Sequence, residues 1–209
     1  MNVPSLGMLV GAGVLAGALW WRTHPSACPY GQRWMVEIPH PYITPRRLID
    51  ALGPIAERRV LEVGPGSGYY TLAVADAVGT GGRLDIFDIQ QEMLDLTVRR
   101  AREQGHEHVV ATAGDARELP YADATFDAAF LVTVLGEIPD QDAALRQIER
   151  VLRPGGRLVV GEIVGDPHWV APGGLRRRAE AAGLVFEQRI GTPLAYFACL
   201  RAPGPRAVA

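Results

Sequence analysis

A glycine-rich stretch preceded by an acid is the part of the sequence best suited to bind a ligand. Residues 62–68 read Glu-Val-Gly-Pro-Gly-Ser-Gly, between a strand-like apolar run and a segment with helical spacing. Glycines let the backbone approach a ligand because no Cβ stands in the way. A dinucleotide loop, GxGxxG, would need a third glycine at position 69, which is Tyr69 here. This spacing and the acidic Glu62 disfavour a pyrophosphate and favour a cationic ligand.

Two further carboxylates follow predicted strands later in the chain. Asp88 ends the second strand, where a carboxylate can accept hydrogen bonds from both hydroxyls of a ribose. Asp115 follows the third strand, where a carboxylate can accept from the exocyclic amine of adenine. Taken singly, each is more often a turn or capping residue. Together with the glycine stretch they indicate a nucleoside that carries positive charge, and S-adenosylmethionine, with its sulfonium and ammonium, fits that description.

Strands and helices alternate along most of the chain. Thr44 reads as an N-cap with Pro45 at the first helical position, which predicts a helix to Leu52. Strands are predicted at 59–63, 83–89, 109–113, 126–132, 157–163, 186–190 and 195–200. Further helices are predicted at 69–78, 91–103, 141–152 and 173–182. This alternation predicts an α/β fold with a doubly wound, Rossmann-like seven-stranded sheet, mostly parallel with an antiparallel last strand.

The chain from about Thr44 to Arg201 resembles the class I S-adenosylmethionine-dependent methyltransferases, in the branch of quinone-biosynthesis and other small-molecule enzymes. The residues that carry the resemblance are EVGPGSG at 62–68, IFDIQQEML at 86–94, GDARELPYADATFD at 114–127, LGEIPD at 135–140 and RVLRPGGRLVVGE at 150–162. The last run is the most specific, because it joins a helix end, a Pro-Gly-Gly turn and the fifth strand. Many relatives carry two histidines where this chain has Gly136-Glu137, so the resemblance stops at that substrate-facing position.

The resemblance implies S-adenosylmethionine as the cofactor and assigns residues to each part of it. Those at the glycine loop and the methionine end are Glu62, Gly64, Gly66, Gly68 and Thr133. The residue assigned to the ribose is Asp88. Those around the adenine are Ile89, Met93, Asp115 and Ala116.

Methyl transfer is an in-line displacement, for which the protein supplies alignment and, where needed, a base. Glu137 and His168 are the candidate catalytic bases, and each has a competing interpretation as a local cap or a surface loop residue. His40 and Tyr42 are candidate substrate or lid residues, from a Pro- and aromatic-rich linker at 23–43. No residue type is obligatory for this chemistry, so these assignments stay open.

Composition excludes several other classes of function. All 21 basic residues are arginine, so a P-loop lysine and a Schiff-base lysine are both excluded. The net charge of -2 does not suggest a nucleic-acid partner, because proteins that bind nucleic acid usually have a basic patch. The two cysteines, Cys28 and Cys199, lie far apart without zinc-ligand spacing, and no metal site is predicted.

Residues 1–22 predict a membrane-anchoring helix. Val3 to Trp21 carry no charge, and as a helix they would span about 28 Å, close to the roughly 30 Å of bilayer hydrocarbon. A cleaved signal peptide and a docked helix are the alternatives; the lack of a preceding basic residue and of a polar face disfavours them. Arginines follow the segment but none precedes it, which predicts a single-pass protein with its C-terminal side in the cytoplasm. Two GxxxG pairs in the segment would permit a homodimer.

The sequence therefore predicts an anchor at 1–22, a linker or lid at 23–43 and a methyltransferase domain at 44–209. The predicted reaction is methyl transfer from S-adenosylmethionine to a small lipophilic acceptor at the membrane surface, through an oxygen, nitrogen or sulfur that the sequence does not choose between. A membrane-anchored scaffold or sensor that binds the cofactor without turnover is the alternative. An NAD-dependent oxidoreductase is disfavoured by the spacing of the glycines alone.

Overall fold

The computed structural model describes residues 25–29, 31 and 42–204. The predicted membrane helix at 1–22 and the predicted lid residue His40 lie outside these residues. Within the described ranges, no helix is long and apolar enough to cross a membrane.

Seven strands and five α-helices make up residues 45–201 of the described chain. The strands are β1 (Arg59–Val63), β2 (Arg83–Asp88), β3 (Val109–Ala113), β4 (Phe126–Val132), β5 (Leu152–Ile163), β6 (Val185–Thr192) and β7 (Ala195–Arg201). The helices are α1 (Pro45–Leu52), α2 (Thr71–Val78), α3 (Gln91–Glu103), α4 (Gln141–Val151) and α5 (Pro172–Ala181). A single 3₁₀ turn, Leu135–Glu137, follows β4.

The strands form one sheet in the order β3-β2-β1-β4-β5-β7-β6. Neighbours from β3 to β5 pair in parallel, and β7 pairs antiparallel with both β5 and β6. The predicted α/β class, with seven strands and an antiparallel last strand, is confirmed. The strand order reverses between β1 and β4, and in such sheets ligands bind beyond the carboxyl ends of the strands at this point.

Helices cover both faces of the sheet and create two cores. One core holds buried side chains of α1, α2 and α3 against one face, and the other holds those of α4 and α5 against the opposite face. The start of α1 follows the predicted chemistry, because the Thr44 hydroxyl accepts a hydrogen bond from the Arg47 backbone N–H at 3.3 Å. These helices fix the positions of the loops at the carboxyl edge.

Strand β5 starts earlier than its predicted beginning at Arg157. Leu152 already pairs with Phe126, and pairing then resumes at Arg157 with Ala128, so the Pro-Gly-Gly turn bulges out within the strand. Gly155 has a φ of 77°, a conformation that favours glycine. The sequence pattern correctly indicated a turn, but it could not show that strand pairing continues on both sides of it.

A buried ion pair joins β1 to β2 at the edge opposite the carboxyl ends. The Asp85 side chain is fully buried, and Arg59 donates to it through Nε at 2.9 Å and Nη2 at 3.1 Å. Arg83 also donates to the same carboxylate at 2.8 Å. Removing one member of such a cluster costs more than losing a surface pair, because the remaining charges keep their desolvation cost.

Asp85→Asn is therefore expected to lower the free energy of unfolding by about 3 kcal/mol. The matched control is Asp123→Asn, which removes a carboxylate paired with Arg150 but 78% exposed. The control should cost less than about 1 kcal/mol. Urea denaturation at neutral pH measures both free energies of unfolding. Equal losses in the two variants would show that the Asp85 cluster stabilises the fold no more than a surface ion pair does.

Candidate functional site

The carboxyl ends of β1, β2 and β4 surround a cavity of about 320 Å³. This volume lies within the range of small-molecule sites in proteins. Eight of the ten predicted cofactor residues line it: Gly64, Gly66, Asp88, Ile89, Met93, Asp115, Ala116 and Thr133. The other two, Glu62 and Gly68, do not form part of its wall.

The loop after β1 has the backbone conformation for which its glycines are suited. Gly64, Gly66 and Gly68 have φ values of 74°, 55° and 90°. A Cβ on Gly64 would overlap the side chain of Val134, which also lines the cavity. A side chain at position 64 would therefore both strain the backbone and displace the cavity wall.

Side chains of α3 hold this loop in place from behind. The Thr97 hydroxyl donates to the Gly66 carbonyl at 3.0 Å, and an Arg100 guanidinium nitrogen donates to the Ser67 carbonyl at 2.8 Å. Because these two carbonyls of the loop are hydrogen-bonded to α3, the loop has its shape without a bound ligand.

Glu62 lies beneath the loop instead of facing the cavity. Its side chain is buried, and its carboxyl group accepts a hydrogen bond from the Thr71 hydroxyl at 2.6 Å. Burial raises the pKa of Glu62 to about 8, against the hydrogen bond from Thr71, which lowers it. A cation bound nearby would favour the ionised form of Glu62 and lower this pKa.

Asp88 and two apolar residues form the end of the cavity predicted for the nucleoside. The Asp88 carboxylate accepts the backbone N–H of Gln90 at 2.9 Å, and burial raises its pKa to about 6. Met93 is buried, whereas the Ile89 side chain is 63% exposed and available to cover a flat ring. Acceptor and apolar surfaces thus lie side by side, as a ribose joined to a base requires.

Asp115 is already engaged by a neighbouring arginine. The Arg117 guanidinium donates to both carboxylate oxygens, and this contact holds the pKa of Asp115 below its usual range. Oδ1 also accepts the Arg117 backbone N–H, so each oxygen already has two donors. A bond from the adenine amine would therefore require the Arg117 side chain to move, and the assignment stays a prediction.

Thr133 stands where β4 leaves the sheet, with a φ of 56° that is unusual for a residue other than glycine. Its N–H donates to the Gly161 carbonyl at 2.8 Å, and its side chain lines the cavity. Strained residues of this kind persist where surrounding structure holds them, often at ligand sites.

The structure separates the two predicted bases. Glu137 lies in the 3₁₀ turn, lines the cavity and accepts the Cys28 backbone N–H at 3.3 Å. Burial, with a contribution from Asp166, raises the pKa of Glu137 to about 8. His168 is buried rather than a surface loop residue, and among the described residues it is not one that lines the cavity.

Gly136 allows the loop that holds His168 to lie close to the turn that holds Glu137. A Cβ at position 136 would overlap the backbone carbonyl oxygen of His168, so the loop after β5 packs directly on the 3₁₀ turn. A larger side chain at 136 would require a different course of this loop. The predicted lid residue Tyr42 is 52% exposed and, like His168, does not belong to the described cavity wall.

Comparison with known proteins identifies the family. Residues 43–166 match the ubiE/COQ5 methyltransferase family, which is more than half of the chain. The chain belongs to the ubiE/COQ5 methyltransferase family. This membership confirms the predicted methyltransferase class and its cofactor, S-adenosylmethionine.

Two relatives show how far the similarity extends. The ubiquinone/menaquinone biosynthesis C-methyltransferase UbiE of Cellvibrio japonicus is 37% identical over 124 residues, which are 59% of this chain and 49% of that protein. The demethylmenaquinone methyltransferase of Anoxybacillus flavithermus is 35% identical over 101 residues, 48% of this chain and 43% of that protein. The chain spans about half the length of the relatives it matches.

Solved structures support the fold alone. A SAM dependent methyltransferase from Aquifex aeolicus superimposes with a TM-score of 0.75 at 18% identity, covering 83% of this chain and 98% of that one. The [4+2]-cyclase SpnF superimposes with a TM-score of 0.65 at 22% identity, covering 76% and 80%.

Several cavity residues were not singled out from the sequence. Tyr69, Tyr70 and Gln90 line the wall, and the position of Gln90, two residues after Asp88, was a usable signal. The four residues from Pro25 to Cys28 also line it and lie within the predicted linker or lid at 23–43. No pattern in the sequence distinguished Cys28 from the rest of that segment.

Three glutamates lie near this edge of the sheet, Glu62 and Glu162 buried and Glu137 half-buried, and each affects how stability depends on pH. Burial raises the pKa of Glu62, Glu137 and Glu162 from 4.5 to about 8. The folded state thus holds these protons to a higher pH than the unfolded chain. The stability they contribute is complete below about pH 4.5 and is lost as the pH rises towards 8.

Glu162→Gln is expected to reduce this loss, because the amide stays neutral and its oxygen can still accept the Val170 N–H now bound at 3.0 Å. The free energy of unfolding, measured by urea denaturation, should decrease between pH 5 and pH 8 in both proteins. The decrease should be smaller in the variant, by on the order of 2 kcal/mol. Glu118→Gln, on the exposed surface, is the control and should leave the drop unchanged. An equal drop in the Glu162 variant would contradict the prediction.

Proposed function

We propose that this chain transfers a methyl group from S-adenosylmethionine to a lipophilic quinone- or phenol-type ring reached from a membrane surface. The observation that carries the proposal is the cavity, because it combines the glycine loop, Asp88 and an apolar wall in a member of the ubiE/COQ5 family.

The residues present fit the cofactor. Asp88 offers acceptors for the ribose hydroxyls, Ile89 and Met93 offer apolar surface for the adenine, and Thr133 borders the place for the methionine part. Bound there, S-adenosylmethionine supplies a methyl group activated by the sulfonium. The cavity walls restrict its orientation, which is the main protein contribution to an in-line displacement.

The acceptor side favours an apolar ring. Val134, Ile138 and Pro139 line the wall beside Glu137. Relatives named for quinone methylation match this chain only in part, and the family match ends at residue 166. In a quinol, a ring carbon made electron-rich by its hydroxyl groups can take the methyl group while the ring loses a proton.

The test is methyl transfer from labelled S-adenosylmethionine to a demethylated menaquinol and, separately, to components of a membrane lipid extract. Labelled quinol is the expected product. If only another lipid became labelled, the protein would still be a methyltransferase, but its acceptor would not be the quinol. Cofactor binding without any labelled product would favour the scaffold or sensor instead.

Asp88→Ala is expected to weaken S-adenosylhomocysteine binding about tenfold to a hundredfold, because it removes hydrogen bonds to a charged acceptor. Calorimetry measures this, with NAD as a ligand that should not bind either protein. Asp95→Ala, on the exposed surface of α3, is the matched control and should bind normally. Unchanged affinity in the Asp88 variant would contradict the prediction that Asp88 binds the ribose.

The membrane part of the proposal rests on sequence. The uncharged run from Val3 to Trp21, followed by Arg22 and further arginines, supports a single-pass anchor with the domain on the cytoplasmic side. A homodimer through its glycines is a further part of the proposal.

Deletion of residues 1–22 should leave S-adenosylhomocysteine affinity within about twofold, while turnover of quinol embedded in vesicles falls about tenfold or more. The same quinol in detergent micelles should be methylated at similar rates by both proteins. Equal turnover in vesicles would contradict a role for the segment in reaching the acceptor.

A further inference from the structure

Residues 25–29, here called the strap, lie across the cavity described above. Pro25, Ser26, Ala27 and Cys28 all line the cavity, although the rest of its wall comes from residues 63–139. The strap includes no helix or strand. Its position therefore depends on contacts with the domain.

Two long-range hydrogen bonds fasten the strap, and both use the backbone of Cys28. The Cys28 N–H donates to Oε2 of Glu137 at 3.3 Å. The Gln90 side-chain amide donates to the Cys28 carbonyl at 3.0 Å. Neither bond depends on the identity of the side chain at position 28.

The two fastening residues stand on opposite sides of the glycine loop. Gln90 follows β2, Glu137 follows β4, and β1 with its loop lies between them. Neighbouring strands are about 4.8 Å apart, so the ends of β2 and β4 are separated by roughly 10 Å. Cys28 alone links the two sides, because its N–H is bonded to Glu137 and its carbonyl to Gln90.

The composition of the strap suits this course. Pro25 and Pro29 have restricted φ angles and no N–H, so a short segment between them has fewer conformations to lose when it becomes ordered. One of the few N–H groups that remain, that of Cys28, is the one bound by Glu137.

We propose that Glu137 is a positioning residue that, together with Gln90, fastens the strap over bound cofactor, so that cofactor exchange requires these two bonds to open. The proposal rests on the proposed function, in that it takes the cavity to be the S-adenosylmethionine site. It also differs from a base at Glu137, since one carboxylate oxygen is committed to the strap.

The first experiment measures the rate at which labelled S-adenosylhomocysteine leaves the full-length protein after addition of excess unlabelled ligand. Glu137→Ala removes the acceptor and should accelerate release about tenfold, the upper end of what one hydrogen bond contributes. Glu137→Gln retains an oxygen acceptor and should stay within about threefold of the unsubstituted protein.

Matched variants test the other half of each bond. Cys28→Pro removes the N–H and should accelerate release about tenfold, whereas Cys28→Ala keeps it and should have little effect. Gln90→Met removes the donor to the Cys28 carbonyl at similar volume and should accelerate release by a similar factor.

Cys28 also provides a direct reporter of strap opening. Its thiol is partly exposed, and the other cysteine, Cys199, is buried in β7. Alkylation of Cys28 by iodoacetamide should be slowed by S-adenosylhomocysteine in the unsubstituted protein. Both Glu137→Ala and Glu137→Gln remove a carboxyl group that raises the pKa of the Cys28 thiol, so the comparison between them reports opening alone. Alkylation should be faster, and protection by the ligand smaller, in Glu137→Ala than in Glu137→Gln.

The outcomes separate this proposal from the proposed function. If the unsubstituted protein does not bind S-adenosylhomocysteine, the cofactor site itself is wrong and the strap proposal falls with it. If it binds and methylates but Glu137→Ala and Cys28→Pro release ligand at the parental rate, only the strap proposal is overturned. If Glu137→Gln lost kcat while the rate of ligand release stayed unchanged, Glu137 would be a catalytic base and not a residue that fastens the strap.

Discussion

The change in strand order between β1 and β4 is the constraint on which the site depends. Chains that leave these two neighbouring strands part to opposite sides of the sheet, and a crevice opens at their carboxyl ends. The glycine loop fills the floor of that crevice in a left-handed backbone conformation, held from behind by Thr97 and Arg100 of α3. Because the loop is bonded to a helix packed on the sheet, the geometry of the cavity follows from the packing of the domain.

Burial of carboxyl groups gives the crevice its electrostatic character. Glu62, Glu137 and Glu162 lose hydration at this edge, and their pKa values rise to about 8 as a result. A cation bound nearby would favour the ionised form of such a group and lower its pKa. Ligand charge and the protonation of these glutamates would then be coupled.

The matched region contains most of the cavity wall. Residues 43–166 include the loop after β1, Asp88 and Asp115, and they also include Gly136 and Glu137. Two contacts of the 3₁₀ turn reach beyond that region, because Gly136 packs against the His168 carbonyl and Glu137 accepts the N–H of Cys28 in the strap. The turn thus joins the part of the chain that matches the family to segments on either side of it.

The sequence by itself determined the strands β1, β3 and β4 to the residue, the cap at Thr44 and most of the cofactor wall, because hydrophobic period, capping and glycine spacing act between chain neighbours. Only the tertiary structure decided that Glu62 lies beneath the loop and that His168 stays out of the wall. It also brought Cys28 to Glu137, 109 residues away. Such contacts depend on how distant elements pack, and no local period records them.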